Sequence, residues 1–224
     1  MRRGAGPIGI GWASVKANAV PMVALWVLAV LLISAYSLIP VFAEAMEPVR
    51  RWQVESGWKA PFLNRVFFCG VLPGVFLCAC PSLRPRHVLA VIACESVWNG
   101  LLGIAGDWSF RVLTAIFGSG ADVGTLIGKT LVDQFVWTVL FIAPVNAVFH
   151  FWLARDFSFA RARREWPLHF YGQLVTPNLV SNWCVWIPVQ FTVFMFPLDL
   201  QIHMNGLVCA FWTLMCLQIG RRTK

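Results

Sequence analysis

Apolar segments alternate with short charged segments along this chain. Six of the apolar segments are about 18 residues or longer, which is close to the length that a helix needs to cross a bilayer. The pattern predicts an all-α, polytopic membrane helix bundle with about six transmembrane helices. We place these helices at residues 20–42, 66–83, 88–105, 129–151, 176–196 and 201–219.

Composition and charge support this class. Hydrophobic residues make up 58% of the sequence and charged residues only 12%, whereas about a quarter of the residues in a soluble domain are charged. The net charge of +8 comes from basic residues between the apolar segments, so it does not indicate nucleic-acid binding. With the N-terminus in the cytoplasm, six spans place 12 Lys and Arg residues inside and 6 outside. This bias predicts that both termini are cytoplasmic.

Two segments leave alternatives open. Residues 44–65 carry charges of alternating sign four residues apart, with Pro48 in the predicted first turn and Gly57 near the end. This pattern is typical of a helix lying at the membrane interface, but it also suits a loop. Residues 66–83 contain two glycines and two prolines, so they either span the membrane with a kink or form a re-entrant hairpin. Connecting segments are predicted at residues 81–87, 107–128 and 155–169.

The stretch 129–151 is the predicted central helix of the bundle. Lys129 and Asp133 lie four residues apart, so on an α-helix they share a face and can form an ion pair at the outer mouth. Pro144 falls on nearly the same face, whereas Asn146 and His150 point well away from it. Because polar groups project in several directions, we expect other helices or water, rather than lipid alone, around this helix.

A second set of polar residues follows the predicted span 176–196. Asn178, Asn182, Trp186 and Gln190 recur every four residues and form a stripe along one side. The stripe either makes hydrogen bonds between helices or lines an aqueous path. The residues predicted to line a pore or to form a polar network are Glu95, Lys129, Asp133, Gln134, Asn178, Asn182, Trp183, Trp186 and Gln190, with hinges at Pro144 and Pro188.

The remaining chemistry-bearing residues do not point to a reaction. Glu95, near the middle of the span 88–105, is either a pore-lining or proton-coupled carboxylate or a neutral one bonded to a neighbouring helix. Asp199 and His203 are too few for a metal site, and the seven cysteines contain no C-x-x-C pair. Hydrolase, zinc-protease and nucleotide-binding motifs are also absent from the sequence. We therefore predict no enzyme, metal or cofactor.

Several of these residues together resemble a known family. The matching positions are Lys129-x-x-x-Asp133-Gln134, Asn182-Trp183-x-x-Trp186, Gln190-x-x-x-Phe194, Pro197 and Trp212. They resemble the 22 kDa peroxisomal membrane protein family and its mitochondrial inner-membrane relatives. The resemblance covers roughly residues 85–220 and is most specific from 129 to 212. It implies a four-span body within residues 66–224, to which residues 1–65 add an extension with the first transmembrane helix and an interfacial segment.

The chain also departs from the family pattern. Val139 stands where the family usually has a proline, and Gln201 stands where it has an arginine. Pro188 and Pro197 are each displaced by about one residue. A divergent bacterial branch would fit these departures, which favours a bacterial inner membrane. A eukaryotic member would lie in the mitochondrial inner or the peroxisomal membrane.

The resemblance implies a channel-like protein that lets small solutes cross a membrane passively. Its partners would be the lipid bilayer, small solutes and further copies of the chain in a homo-oligomer. The same polar residues also suit a non-conducting membrane scaffold or interaction protein, in which they only hold helices together.

Overall fold

The computed structural model describes residues 6–17, 19–79 and 87–222. All regular structure in these residues is helical, which confirms the all-α class. Residues 81–86 of the predicted connection, Arg2 and Arg3 lie outside the described residues. The helices are α1 (Pro7–Ala17), α2 (Ala19–Leu38), α3 (Pro40–Ser56), α4 (Lys59–Ala79), α5 (Val88–Phe117), α6 (Val123–Leu153), α7 (Phe159–Arg164), α8 (residues 171–193) and α9 (Leu198–Arg222).

Three of the described helices, α4, α5 and α6, are long and apolar enough to cross a membrane. A fourth candidate is formed by α2 and α3 if they are taken as one span, although they meet at an angle of 100°. Around them, α1 and α2 pack on α8, and α9 packs on α2, α3, α4 and α5. The described residues therefore contain three candidate spans, or four with the bent pair.

Large apolar side chains lie on the outside of the bundle, while several polar and charged side chains are buried in it beside its hydrophobic core. The outward-facing Leu89 and Leu140 are 74% and 73% exposed, while Lys129, Asp133 and Gln190 are buried in the interior. Contiguous apolar surface of this kind is typical of proteins that contact a membrane. The bundle thus has an apolar exterior and an interior that holds both hydrophobic clusters and polar groups.

The start of α3 differs from its predicted position. Helix α3 begins at Pro40, so Pro48 lies inside the helix rather than in its first turn. Ile39 is extended, with φ −115° and ψ 99°, because the ring of the following proline disfavours a helical conformation there. Gly57, with φ 54°, ends α3 near the predicted position. The mixed-charge segment is therefore helical up to Ser56, and the loop alternative applies only to the two residues that follow.

The next helices run on through charged residues that we predicted to lie outside the spans. Helix α4 begins at Lys59 rather than at Val66, so the predicted boundary at residue 65 falls inside a continuous helix. Helix α5 continues to Phe117, so the predicted loop at 107–128 shrinks to residues 118–122. Arg65 and Arg111 in these helices have partners within the bundle, which hydropathy alone does not reveal.

Glycines set the close packing of α4 against α5. An added Cβ at Gly70 would overlap the Oγ of Ser96, and one at Gly74 would lie 2.7 Å from the Cγ1 of Ile92. Small residues at i and i+4 allow helices within a bilayer to approach closely. These glycines therefore bring α4 and α5 close enough to enclose polar groups between them.

Substituting Gly74 with alanine is expected to lower the free energy of unfolding by about 1 kcal/mol, because the new methyl group must displace the Ile92 side chain. Chemical denaturation in detergent measures this change. Gly172→Ala is the control, because a Cβ at position 172 would meet nothing within 4 Å. Equal stability of Gly74→Ala and Gly172→Ala proteins would contradict the packing.

Candidate functional site

A cavity of about 600 Å³, lined by both polar and apolar side chains, lies between α4, α5, α6, α8 and α9. Its volume falls in the range of small-molecule sites. His150 and Asn178 are exposed at the cavity, whereas Gln190 and Asn205 are buried. The polar lining consists of Arg65, Glu95, Asn99, Ser109, Asp133, Gln134, Thr138, Asn146, His150, Asn178, Ser181, Asn182, Gln190 and Asn205.

The cavity brings together most of the residues selected from the sequence. Those that line it are Glu95, Asp133, Gln134, Asn178, Asn182, Trp186 and Gln190, while Lys129 and Trp183 do not. The four members of the predicted stripe on α8 all contribute to the wall. The polar faces of α6 and α8 therefore meet in one place.

The wide helical turns at Asp133–Ile142 correct the predicted direction of Asn146 and His150. In these π-helical turns the backbone bonds from i to i+5, so each turn takes in about one residue more than an α-helical turn. Ten such residues make about two turns and take in about two residues more than two α-helical turns would. The side chains that follow are therefore rotated by roughly 200° about the helix axis from their α-helical directions. Asn146 and His150 consequently line the same cavity as Asp133.

A chain of hydrogen bonds joins α6 to α8. The Nε2 of Gln134 donates to the Oδ2 of Asp133 at 2.7 Å, and the Oε1 of Gln134 accepts from the Nδ2 of Asn182 at 3.3 Å. The Nε1 of Trp183 donates to the backbone carbonyl of Gln134 at 3.0 Å. Trp183 therefore packs behind the polar chain and does not constrict the cavity.

Lys129 does not line the cavity and does not pair with Asp133. The Lys129 side chain is 1% exposed, and its Nζ donates to the Oγ1 of Thr114 at 3.2 Å and lies 5.9 Å from the ring centroid of Phe194. Among the ion pairs of the described residues, none joins Lys129 to Asp133. The prediction was wrong because the aliphatic stem of Lys129 reaches across to α5, while Asp133 begins the wide turns.

Glu95 has partners on two helices. Its Oε1 lies 3.3 Å from the Nδ1 of His150 on α6, and its Oε2 accepts from Asn99 at 3.2 Å. Because α5 extends to Phe117, Glu95 lies about 10 Å from the start of the helix rather than near its middle. The carboxylate therefore both lines the cavity and makes contacts between helices, so it fits neither of the two predicted roles alone.

The two predicted hinges lie in helices that remain continuous. Pro144 has no N–H to bond the carbonyl five residues earlier, and that carbonyl, of Val139, accepts from the hydroxyl of Tyr171 at 2.8 Å. Pro188 lies inside α8, and the nearby carbonyl of Val185 accepts from the Nε1 of Trp26 at 3.3 Å. Side chains of neighbouring helices thus donate hydrogen bonds to carbonyls close to both prolines.

Sequence reasoning missed two residues at the buried end of the cavity. Arg65 donates to the Oδ1 of Asn205 and, at 3.4 Å, to the Sγ of Cys69. Asn205 in turn donates to the Oε1 of Gln190 at 2.9 Å. Arg65 was overlooked because it closes a charged segment, and Asn205 because it follows Gln201 and His203 near the start of the last predicted span.

A second buried network lies outside the cavity. The Nε2 of Gln53 donates to the Oδ1 of Asp107 at 3.1 Å, and the Oε1 of Gln53 contacts the Nε2 of His203 at 2.8 Å. Since a glutamine oxygen only accepts, the Nε2 of His203 carries the proton. Arg111 donates to the Oδ2 of Asp107 at 2.7 Å and lies 4.0 Å from Asp199. This network ties α3 and α9 to α5.

Neither network forms a metal centre. Asp199 and His203 have the partners just described, and no group of three His, Cys, Asp or Glu side chains in the described residues is arranged to hold a metal ion. No protein-family model, curated protein or solved structure matches the chain. The resemblance carried by the residues from 129 to 212 stays a prediction, and the side chain of Trp212 lies outside the described part of the structure.

Proposed function

We propose that this chain is a channel-like integral membrane protein through which small solutes cross passively. The observation that carries the proposal is the cavity of about 600 Å³, with polar side chains along its wall, inside a bundle with an apolar exterior. Polar and ionisable groups inside a membrane are costly, so they are typical of solute pathways when they line a cavity. Amides and hydroxyls make up most of the polar lining, and such groups can replace the hydration of a small solute without selecting its charge.

The proposal includes six spans with both termini in the cytoplasm. The candidate spans α4, α5 and α6 are accompanied by α2, α8 and α9, which cover the other predicted segments and pack beside them. The distribution of 12 basic residues inside and 6 outside supports this orientation. We place the protein in a bacterial inner membrane, as a divergent relative of the 22 kDa peroxisomal membrane protein family.

Passage requires the buried end of the cavity to open. The exposed Asn178 and His150 would form one mouth, while Gln190 and Asn205 close the other end. Pro144 and Pro188 are the natural bending points, because each removes one backbone hydrogen bond from its helix. The side-chain bonds from Tyr171 and Trp26 would hold the closed form.

A non-conducting scaffold is the second candidate function. The observation that favours it is the set of hydrogen bonds between helices, such as those from Asn182 to Gln134 and from Asn205 to Gln190. Bonds of this kind hold membrane helices together whether or not a solute passes.

Solute release from liposomes separates the two functions. If solutes pass, liposomes that contain the purified protein are expected to release small neutral solutes. Asp133→Asn is expected to change the release rate by about threefold, which corresponds to a change of under about 1 kcal/mol in the activation free energy of passage. Asn182→Leu, which alters the opposite wall, is expected to change it as well. The control is Asp199→Asn, because Asp199 does not line the cavity. Tight liposomes containing folded, inserted protein would leave the scaffold as the function.

A further inference from the structure

Arg65 brings a positive charge into the bundle without a carboxylate partner among the described residues. It lines the cavity from α4, and no ion pair within 4.0 Å joins it to a carboxylate of the described residues. Its hydrogen bonds to Cys69 and Asn205 leave the Nε buried without an acceptor. A charge in a membrane interior is normally paired, so an unpaired one needs a partner from elsewhere.

The amide oxygens of Asn205 and Gln190 beside Arg65 already have donors. The Oδ1 of Asn205 accepts from Arg65, and the Oε1 of Gln190 accepts from Asn205. Gln190 is only 2% exposed, and its Nε2 is buried and has no acceptor. A buried donor without an acceptor costs about 1–3 kcal/mol, so this end of the cavity has unmet donors from two side chains.

The acidic groups of the cavity do not compensate this charge. Glu95 is paired with His150 and bonded to Asn99, and Asp133 accepts from Gln134. Arg65 thus lines the cavity wall with hydrogen bonds to Cys69 and Asn205 and with no carboxylate of the described residues as its partner.

We propose that Arg65, Gln190 and Asn205 form a binding site for the carboxylate group of a small organic anion. A guanidinium presents N–H donors in a planar fork that matches a carboxylate, and such charge-assisted bonds are about twice as strong as neutral ones. Both the Nε of Arg65 and the Nε2 of Gln190 are closed to solvent, so the carboxylate supplies acceptors to them when the buried end of the cavity opens, and the cavity accommodates the rest of the molecule. The site deepens the proposed function by naming a solute class, and it rests on that function only for the passage of the anion.

Ligand-dependent thermal stability of the full chain in detergent tests the site. Sodium lactate is expected to raise the melting temperature in a concentration-dependent manner, while lactamide, its neutral analogue of the same size, is not. Sodium chloride at equal ionic strength controls for salt. Equal shifts with lactate and lactamide would overturn the proposal, and this comparison needs only the wild-type protein.

Variants then assign the effect to the site. Arg65→Gln is expected to weaken lactate binding by at least about tenfold, and Gln190→Leu is expected to weaken it by less. Lys59→Gln removes a positive charge from the same helix at an exposed position outside the cavity, so it should bind lactate as the wild type does. Undiminished binding by Arg65→Gln would place the anion elsewhere and overturn the proposal.

Flux measurements distinguish failure of the site from failure of the proposed function. Stabilisation by lactate, together with liposomes that release no solute, would contradict the proposed passage of solutes and support the binding site. Lactate and lactamide entering liposomes at equal rates, both unaffected by Arg65→Gln, would leave passage in place and remove the site.

Discussion

Replacing Asp107 with alanine is expected to lower the free energy of unfolding in detergent by about 2–3 kcal/mol. Asp107 is buried and accepts from both Gln53 and Arg111, so its removal leaves the buried amide of Gln53 without an acceptor. The guanidinium of Arg111 loses less, because its side chain is 43% exposed and can reach solvent or Asp199. Chemical denaturation monitored by tryptophan fluorescence measures the change.

Two variants decide whether the network explains the loss. Asp107→Asn retains an oxygen that can accept from Gln53, so it should recover part of the stability. Asp199→Asn removes a carboxylate that lies 4.0 Å from Arg111, and it should cost less than about 1 kcal/mol. A similar loss in Asp107→Ala and Asp199→Asn would mean that Gln53 does not depend on Asp107.

Hydropathy predicted where the helices lie because apolar runs must be long enough to cross a bilayer. It misplaced their ends where charged residues continue a helix, as at Lys59 and Arg111. Arg111 is tolerated inside α5 because Asp107, one turn earlier, accepts its hydrogen bond. Such compensation depends on which side chains meet in three dimensions, so a scale that sums residues along the chain does not detect it.

The sequence predicted the part of the candidate site that lies on α8 but not all of the part that lies on α6. Asn178, Asn182, Trp186 and Gln190 share one face because α8 keeps α-helical turns over this stretch, so their spacing alone gave the stripe. The wide turns in α6 have no comparable sequence signal, and they reversed the predicted directions of Asn146 and His150. Local spacing therefore predicts a face only as long as the helix keeps 3.6 residues per turn.

Replacing Gln134 with leucine is expected to have the largest effect on stability, a loss of about 3–4 kcal/mol. Gln134 is 3% exposed and links the carboxylate of Asp133 to the amide of Asn182. Leucine removes both the donor at 2.7 Å and the acceptor at 3.3 Å while keeping a similar volume. Gln173→Leu is the control, because Gln173 is exposed, and we expect it to change stability by less than about 0.5 kcal/mol.

A double-mutant cycle measures how much the bond between Gln134 and Asn182 contributes to stability. Once Asn182 is also replaced by leucine, its amide no longer lacks an acceptor, so the double variant should lose less stability than the two single variants together. We expect a coupling of about 0.5–2 kcal/mol, in the range of polar bonds between membrane helices. Additive losses would mean that the bond between Gln134 and Asn182 contributes nothing to the bundle. Coupling with unchanged solute release would assign these residues to holding helices together, whereas coupling with altered release would place them on the solute path as well.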